Sequence, residues 1–150
     1  ALLRSYPALE LLIVGANPSP EVLALHKFNG TRVLGFVDDL YAELIAADIF
    51  VAPMYFSAGI QNKALEAMAC GLPVVTTSNV AKSLDAHDEV ELMIADDNLG
   101  FVKKVTHLIQ NAEARDQIGR AGRSLILKKY SPAAVSDLIR ERLNRITNPQ

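Results

Sequence analysis

The stretch from Asp48 to Thr77, DIFVAPMYFSAGIQNKALEAMACGLPVVTT, leaves this chain little choice of fold. It reads as strand, loop, helix, tight turn, strand. Asp48–Pro53 is a short apolar run containing Ile49, Phe50 and Val51 and closed by proline, the pattern of a strand buried on both faces. A loop with Ser57, Ala58 and Gly59 follows. A helix is expected from Gln61 or Asn62, because Ala64, Leu65, Ala67, Met68 and Ala69 are good helix formers and Cys70-Gly71 ends it with glycine at the C-terminal position. Leu72-Pro73 turns the chain and Val74-Val75 opens the next strand. A helix entered from a strand-to-helix loop presents free backbone N–H groups at its positive end, where phosphate binds. Gly59, Ile60, Gln61 and Asn62 are the candidate donors. The same residues also read as a simple capped turn with Asn62 as the cap, and both readings can hold at once. Lys63 reads equally as a point charge for phosphate and as a solvated side chain.

The flanking sequence repeats the alternation. Ala1–Pro7 is the end of a helix, and Glu10–Val14 is a strand ended by Gly15-Ala16-Asn17. Ser19-Pro20-Glu21 supplies N-cap, first-turn proline and first-turn acid for a helix to about Phe28. Asn29-Gly30 turns the chain into a strand over Thr31–Leu34. Gly35–Asp39 connects to a helix over Leu40–Ala47, with Asp38 as its expected cap. After Thr77 come a short helical or irregular piece over Val80–Ala86 and a last strand over Val90–Ala95. Helices are expected over Asn98–Gln110 and Ala112–Tyr130. A third follows the Ser131-Pro132 cap, with Val135, Ile139, Leu143 and Ile146 on one face and Arg140, Arg142 and Arg145 mainly opposite, a solvated face. Strands alternating with helices, the strands nearly continuous in apolar residues, define an α/β fold. They imply a parallel sheet covered by helices on both faces, in one domain over residues 1–150.

A net charge of −2 gives no electrostatic case for nucleic acid or an anionic membrane surface. No apolar run reaches membrane-spanning length and no signal peptide is read. The single cysteine, Cys70, excludes an internal disulfide and sits where a small buried hydrophobe fits better than a nucleophile. His26, His87 and His107 have no second ligand at metal spacing, so no metal is expected. His107 is read as solvated on a charged face beside Lys103 and Lys104. Asp96-Asp97 read as helix caps.

Ala52-Pro53 through Val75 resembles the donor-binding core of family 4 (group 1) glycosyltransferases, retaining sugar-nucleotide enzymes of the GT-B fold. Their hallmark is Glu-x7-Glu followed by Ala-Met-Ala-x-Gly-x-Pro-Val-Val. The run Glu66-Ala67-Met68-Ala69-Cys70-Gly71-Leu72-Pro73-Val74-Val75 matches it. The first acid does not: Ala58 stands eight residues before Glu66. Gly59-Ile60-Gln61-Asn62-Lys63 likewise replaces the commoner Gly-Phe-Gly pattern and is similar to a variant in bacterial polysaccharide assembly. Leu11–Gly15, Val33–Asp39, and Ile118–Arg123 with Tyr130-Ser131 resemble further family segments in the same order.

The resemblance implies a Rossmann-like, nucleotide-sugar-binding half of a two-domain enzyme. By that resemblance the N-terminal acceptor domain is expected to lie outside these 150 residues, and so is the first strand–helix unit, which in the family carries the Arg and Lys of the phosphate clamp. Glu10–Val14 and Asp48–Pro53 are then expected to pair directly, or to accept a strand from another chain. Glu66 is implied to accept hydrogen bonds from the ribose hydroxyls; its alternative is a solvated carboxylate complementing the helix dipole. Gly15, with Asn17, lies at the carboxyl end of a strand where a donor approaches. Phe36-Val37-Asp38 resembles the loop that meets the base, although it serves equally as a plain connection. The implied function is binding of a UDP- or GDP-sugar, with no metal, for hexosyl transfer to a glycan or lipid-linked acceptor held by the absent domain. The implied setting is cytoplasmic bacterial polysaccharide synthesis, with any membrane association through that domain. The isolated fragment is expected to be inactive. The alternatives are a non-catalytic Rossmann-like module, for which Ala58 speaks, or another GT-B enzyme such as a sugar-nucleotide epimerase.

Overall fold

The computed structural model describes residues 2–55, 61–134 and 136. Its elements are α1 (Leu2–Ser5), β1 (Leu11–Val14), α2 (Pro20–Leu23) continued by a 3-10 turn (Ala24–Lys27), β2 (Thr31–Gly35) and α3 (Leu40–Ala46). There follow β3 (Phe50–Ala52), α4 (Asn62–Ala69), β4 (Val74–Thr76), α5 (Ser78–Leu84), β5 (Met93–Ile94), α6 (Asn98–Gln110) and α7 (Ala112–Tyr130). Every strand ladder is parallel, so the fold is α/β as expected. Residues group into two compact units, Ala1–Glu43 and Leu44–Gln150.

In the first unit β1 and β2 pair from Leu11↔Thr31 to Val14↔Gly35. Ser19 caps α2 as expected, its hydroxyl accepting from the Val22 N–H, and Pro20 fills the first turn. Gly30, at φ +78°, makes the turn before β2, and an added Cβ there would lie 2.9 Å from the Leu9 carbonyl oxygen. The His26 ring braces β2, its Nδ1 accepting from the Val33 N–H at 3.2 Å and so satisfying a strand donor. The cap of α3 is Asp39, whose Oδ1 accepts from Ala42 N–H at 3.0 Å, and not Asp38 as expected. The reach of an N-cap side chain to the third residue beyond it decides between the two acids.

The second unit holds the sheet β3-β4-β5. Central β4 is buried throughout, whereas in β3 only Ala52 is buried and Val51 is exposed. The expectation of a strand buried on both faces therefore holds for β4 and fails for β3, an edge strand of its sheet. The expected pairing of Glu10–Val14 with Asp48–Pro53 is also not made. Among the described residues β1 pairs with β2 and β3 with β4, each ladder joining consecutive strands of a β-α-β crossover. β5 is shorter than the expected Val90–Ala95.

Met68, Val74, Val80, Leu84, Leu92 and Ile126 form the centre of one apolar cluster drawn from α4, β4, α5, α7 and the approach to β5. Helix α4 ends in a Schellman turn: Gly71, at φ +83°, donates to the Met68 carbonyl, and Leu72 donates to that of Ala67. Helix α7 seats on that turn through Gly119 and on the approach to β5 through Gly122. A Cβ added at Gly119 would fall 2.1 Å from the Gly71 carbonyl oxygen, and one at Gly122 would fall 2.7 Å from that of Glu91.

Asp97 and Asn111 cap α6 and α7 through Gly100 and Ala114. His107 is exposed as expected, and Lys104 beside it is half-buried and bridges Asp88 and Glu89 at 2.9 and 2.7 Å. Burial alone would depress its ammonium, but the hydrogen bonds it donates to Glu89 and Asp88 outweigh this and hold Lys104 above its ordinary value. Residues 132–134 are helical and Ser131 caps them through the Ala134 N–H, at 3.2 Å. Ile139, Leu143, Ile146, Arg140, Arg142, Arg145 and the Val135 side chain lie outside the described residues.

Candidate functional site

Helix α4 leaves the carboxyl end of β3, so its amino end stands at the sheet edge where open α/β folds bind ligands. Gln61 occupies the N-cap position with extended backbone (φ −94°, ψ 100°) and makes no side-chain capping bond. Asn62 is the first helical residue, which corrects the expectation of Asn62 as cap. A glutamine side chain is one methylene too long for the short capping geometry of Ser, Thr, Asp or Asn. The first backbone donors that pair within the helix are those of Ala64 and Leu65, both to the Gln61 carbonyl. The N–H groups of Asn62 and Lys63 have no acceptor among the described residues and suit an anion.

Glu66 lies one turn further along, on the same side as Asn62. It is half-buried, and its carboxylate makes no hydrogen bond or ion pair with any described side chain, Lys63 included. Ala64, Ala67 and Met68 carry the buried side of the helix. The sequence-predicted residues Gln61, Asn62, Lys63 and Glu66 are thus gathered on the first two turns of one helix. Gly59 and Ile60, with Ala58, lie outside the described residues.

Two candidates belong to the first unit. Gly15 ends β1 and donates to the Gly35 carbonyl at 2.8 Å. Its backbone needs no glycine, because its φ is not left-handed and an added Cβ would meet nothing within 4 Å. Asn17 is left-handed at φ +53°. Val37 is half-buried in the connection between Gly35 and the Asp39 cap.

Sequence reasoning missed the side chains that lace the sheet edge. Thr76 Oγ1 donates to the Ala52 carbonyl at 2.9 Å, and Thr77 Oγ1 to that of Met54 at 2.7 Å. Asn79 Nδ2 donates to the Tyr55 carbonyl at 3.2 Å. Asp96, expected as a cap beside Asp97, instead accepts from the Ser78 N–H at 2.8 Å and fixes the start of α5. The available signal was the pair Thr76-Thr77 at the end of a buried strand, since buried hydroxyls require partners. A hollow of about 280 Å³ beside Asp48, Cys70, Leu72 and Arg115 lies at the opposite, amino edge of the sheet and is separate from this arrangement.

The β3–α4 crossover of this α/β fold thus places Gln61, Asn62, Lys63 and Glu66 together at the start of one helix, the amides of Asn62 and Lys63 and the carboxylate of Glu66 without partners among the described residues. The chain belongs to the glycosyl transferases of group 1, whose family profile matches residues 1–111. It is 35% identical over 92 residues to a phosphatidyl-myo-inositol mannosyltransferase of Propionibacterium freudenreichii subsp. shermanii, a match covering 60% of this chain and 22% of the relative. Its fold is similar to that of HepE of Anabaena, solved in complex with UDP, at a TM-score of 0.78 and 19% identity over 95% of this chain. It is also similar to the C-terminal domain of the group 1 glycosyl transferase LpcC of Francisella tularensis, at a TM-score of 0.74 and 23% identity over 87% of this chain and 74% of that domain. This chain spans 42% of the length of HepE. Among the described residues no helix is long and apolar enough to cross a membrane, and no group of three or more His, Cys, Asp or Glu could hold a metal ion.

Proposed function

We propose that this chain is the donor-binding half of a retaining glycosyltransferase, holding a nucleoside diphosphate sugar at the amino end of α4. The observation that carries the proposal is the half-buried Glu66 one turn behind the N–H groups of Asn62 and Lys63, all three without partners among the described residues. An ionised carboxylate only accepts hydrogen bonds, so a ribose diol is a matched partner. The amides and helix dipole favour the diphosphate, and their stabilisation grows as the leaving diphosphate gains charge while the glycosidic bond breaks. Membership of the family and its fold likeness to HepE, solved with UDP, support the class of ligand.

The donor is a UDP- or GDP-hexose and no metal takes part. The acceptor, a glycan or a lipid-linked sugar, is bound by a separate domain, so residues 1–150 alone bind without transferring. The setting is cytoplasmic polysaccharide synthesis. Calorimetry with UDP and with GDP tests the reading, using the wild type and Glu66→Ala. Hydrogen bonds to a charged group contribute roughly 1.5–3 kcal/mol, so the variant should lose at least about tenfold in affinity. Equal affinity of the variant, or no binding of either nucleotide by the wild type, sinks it. Ala58 at the place of the motif's first acid favours a second reading, a nucleotide-binding module without transfer. Turnover of a sugar nucleotide by the protein containing both halves would exclude that reading.

A further inference from the structure

The two-stranded sheet of the first unit has an outer edge at β2, and the chain's own groups close it. Parallel pairing with β1 takes alternate residues of β2 and leaves the N–H groups of Thr31 and Val33 on the outer side. Both outward donors are satisfied. The Thr31 N–H donates to the Phe28 carbonyl at 3.0 Å, and the Val33 N–H donates to His26 Nδ1 at 3.2 Å. The two acceptors come from the 3-10 turn Ala24–Lys27 and from Phe28, the residue that ends it. An open strand edge is a template for pairing with another strand, and covering it removes that hazard.

The two seals differ in chemistry. A backbone carbonyl accepts at any pH. An imidazole nitrogen accepts only while the ring is neutral with its proton on the other nitrogen, and the imidazolium, an N–H donor at both positions, accepts nowhere. Histidine is the side chain whose ordinary change of charge falls between about pH 5 and 8. His26 is exposed, so a proton reaches the ring from solvent without any opening of the fold. The charged side chains on the elements around it are Glu21 of α2, Lys27 beside it in the turn, Arg32 of β2 and Glu10 ahead of β1. Arg32 and Glu10 pair with each other at 3.7 Å, and Lys27 lies over the Phe28 ring, 5.5 Å from its centroid. Among the described residues no carboxylate pairs with the His26 ring, so no anion compensates the bond lost on protonation.

We propose that His26 is a proton-sensitive plug of the β2 edge. Neutral, it closes the edge at Val33; protonated, it turns an N–H against the Val33 N–H and opens the edge there while the β1–β2 ladder stays paired. The bond is present above the titration of the ring and is lost as pH falls through it. The test is amide exchange on the whole chain from about pH 8 to about pH 5, with the His26 ring titration read in parallel from its proton resonances. Each amide is expressed as a protection factor against its intrinsic exchange rate at the same pH. Protection of Val33 should fall about three- to tenfold with the midpoint of the His26 ring, the equivalent of one lost hydrogen bond. The ladder amides of Leu11 and Gly15, which donate to the Gly30 and Gly35 carbonyls, should keep theirs. His26→Asn supplies a side-chain carbonyl oxygen that does not titrate, and should hold Val33 protected across the whole range. His26→Phe keeps a ring without an acceptor, and should leave Val33 as open in the alkaline sample as the wild type is in the acid one. Val33 protection that stays flat in the wild type, or that falls equally in His26→Asn, overturns the proposal. Full protection of Val33 in His26→Phe does so as well.

Discussion

Replacing Gly119 by alanine sets two effects of opposite sign against each other. Gly119 lies inside a 19-residue helix, where alanine is favoured over glycine by about 0.8–1 kcal/mol. Helix propensity alone therefore predicts a more stable protein. The packing predicts the reverse. The new methyl carbon would stand 2.1 Å from the Gly71 carbonyl oxygen, 3.2 Å from its carbon and 3.5 Å from the Pro73 nitrogen. All three are backbone atoms, and the oxygen belongs to a residue locked at φ +83° in the turn that ends α4. No side-chain rotation relieves the clash; α7 must rise from the turn by roughly 1 Å, opening the apolar cluster beneath it. Overpacking of this kind costs about 1–3 kcal/mol, and a clash with backbone belongs in the upper part of that range. The net expectation is a loss of about 1–2 kcal/mol, or a fall in Tm of roughly 2–8 °C at about 2–4 °C per kcal/mol. Thermal and urea melts of the wild type, Gly119→Ala and Gly122→Ala measure it. Gly122→Ala should lose less, since its nearest backbone approach is the 2.7 Å to the Glu91 oxygen. A Tm for Gly119→Ala equal to or above that of the wild type would refute the packing argument.

Two lysines bind loops to helices through ion pairs with opposite pH windows. The hydrogen bond from Lys129, and then its charge, holds the Asp85 carboxyl below its ordinary value of 3.8, so the stability it adds is present above that pH and is lost as pH falls through the depressed value. Acid melts of wild type and Lys129→Met should therefore differ near neutrality and converge at the acid end; curves that stay parallel contradict the linkage. Lys104 is raised above 10.5 by Glu89 and Asp88 against its burial, so its contribution is whole below that pH and disappears as pH climbs through the raised value. The stability gap between wild type and Lys104→Met should close on the alkaline side, as checked by urea midpoints from neutrality upward; a gap that persists there counts against the pairing.

The helices and the central strand were legible because their signals are local. The alanine-rich run from Ala64 to Ala69 with Gly71 after it, the Ser19-Pro20-Glu21 start and the stripe of α6 each state an element within one or two turns. The burial of β3 was misread because an apolar trio looks the same in the centre of a sheet and at its edge; only the strand order tells them apart. Asp38 and Asp39 differ as caps by a single residue of register, which the pattern does not resolve. The placement of the candidate residues Gln61 to Glu66 at the start of one helix was legible. Contacts between residues distant in sequence were not, as Thr77 meets Met54, Asn79 meets Tyr55, and Asp96 meets Ser78. Gly119 and Gly122 were visible as part of a family-like segment. Their reason, the close approach of α7 to the Gly71 and Glu91 carbonyls, exists only in the folded chain.

Helix α4 is finished at one end and open at the other. Its tail is locked by the Schellman turn and pressed under α7, while its head offers amides without a partner among the described residues. Mechanically it is a cantilever, clamped at the rear and free at the tip, so fraying should begin at Asn62 and stop before Met68. An anion arriving at the tip supplies the missing acceptors and becomes the cap that the sequence omits. Occupancy and local order are then one equilibrium. Amide exchange at the head of α4 would report ligand directly, while the tail, held by its own glycine, would stay silent.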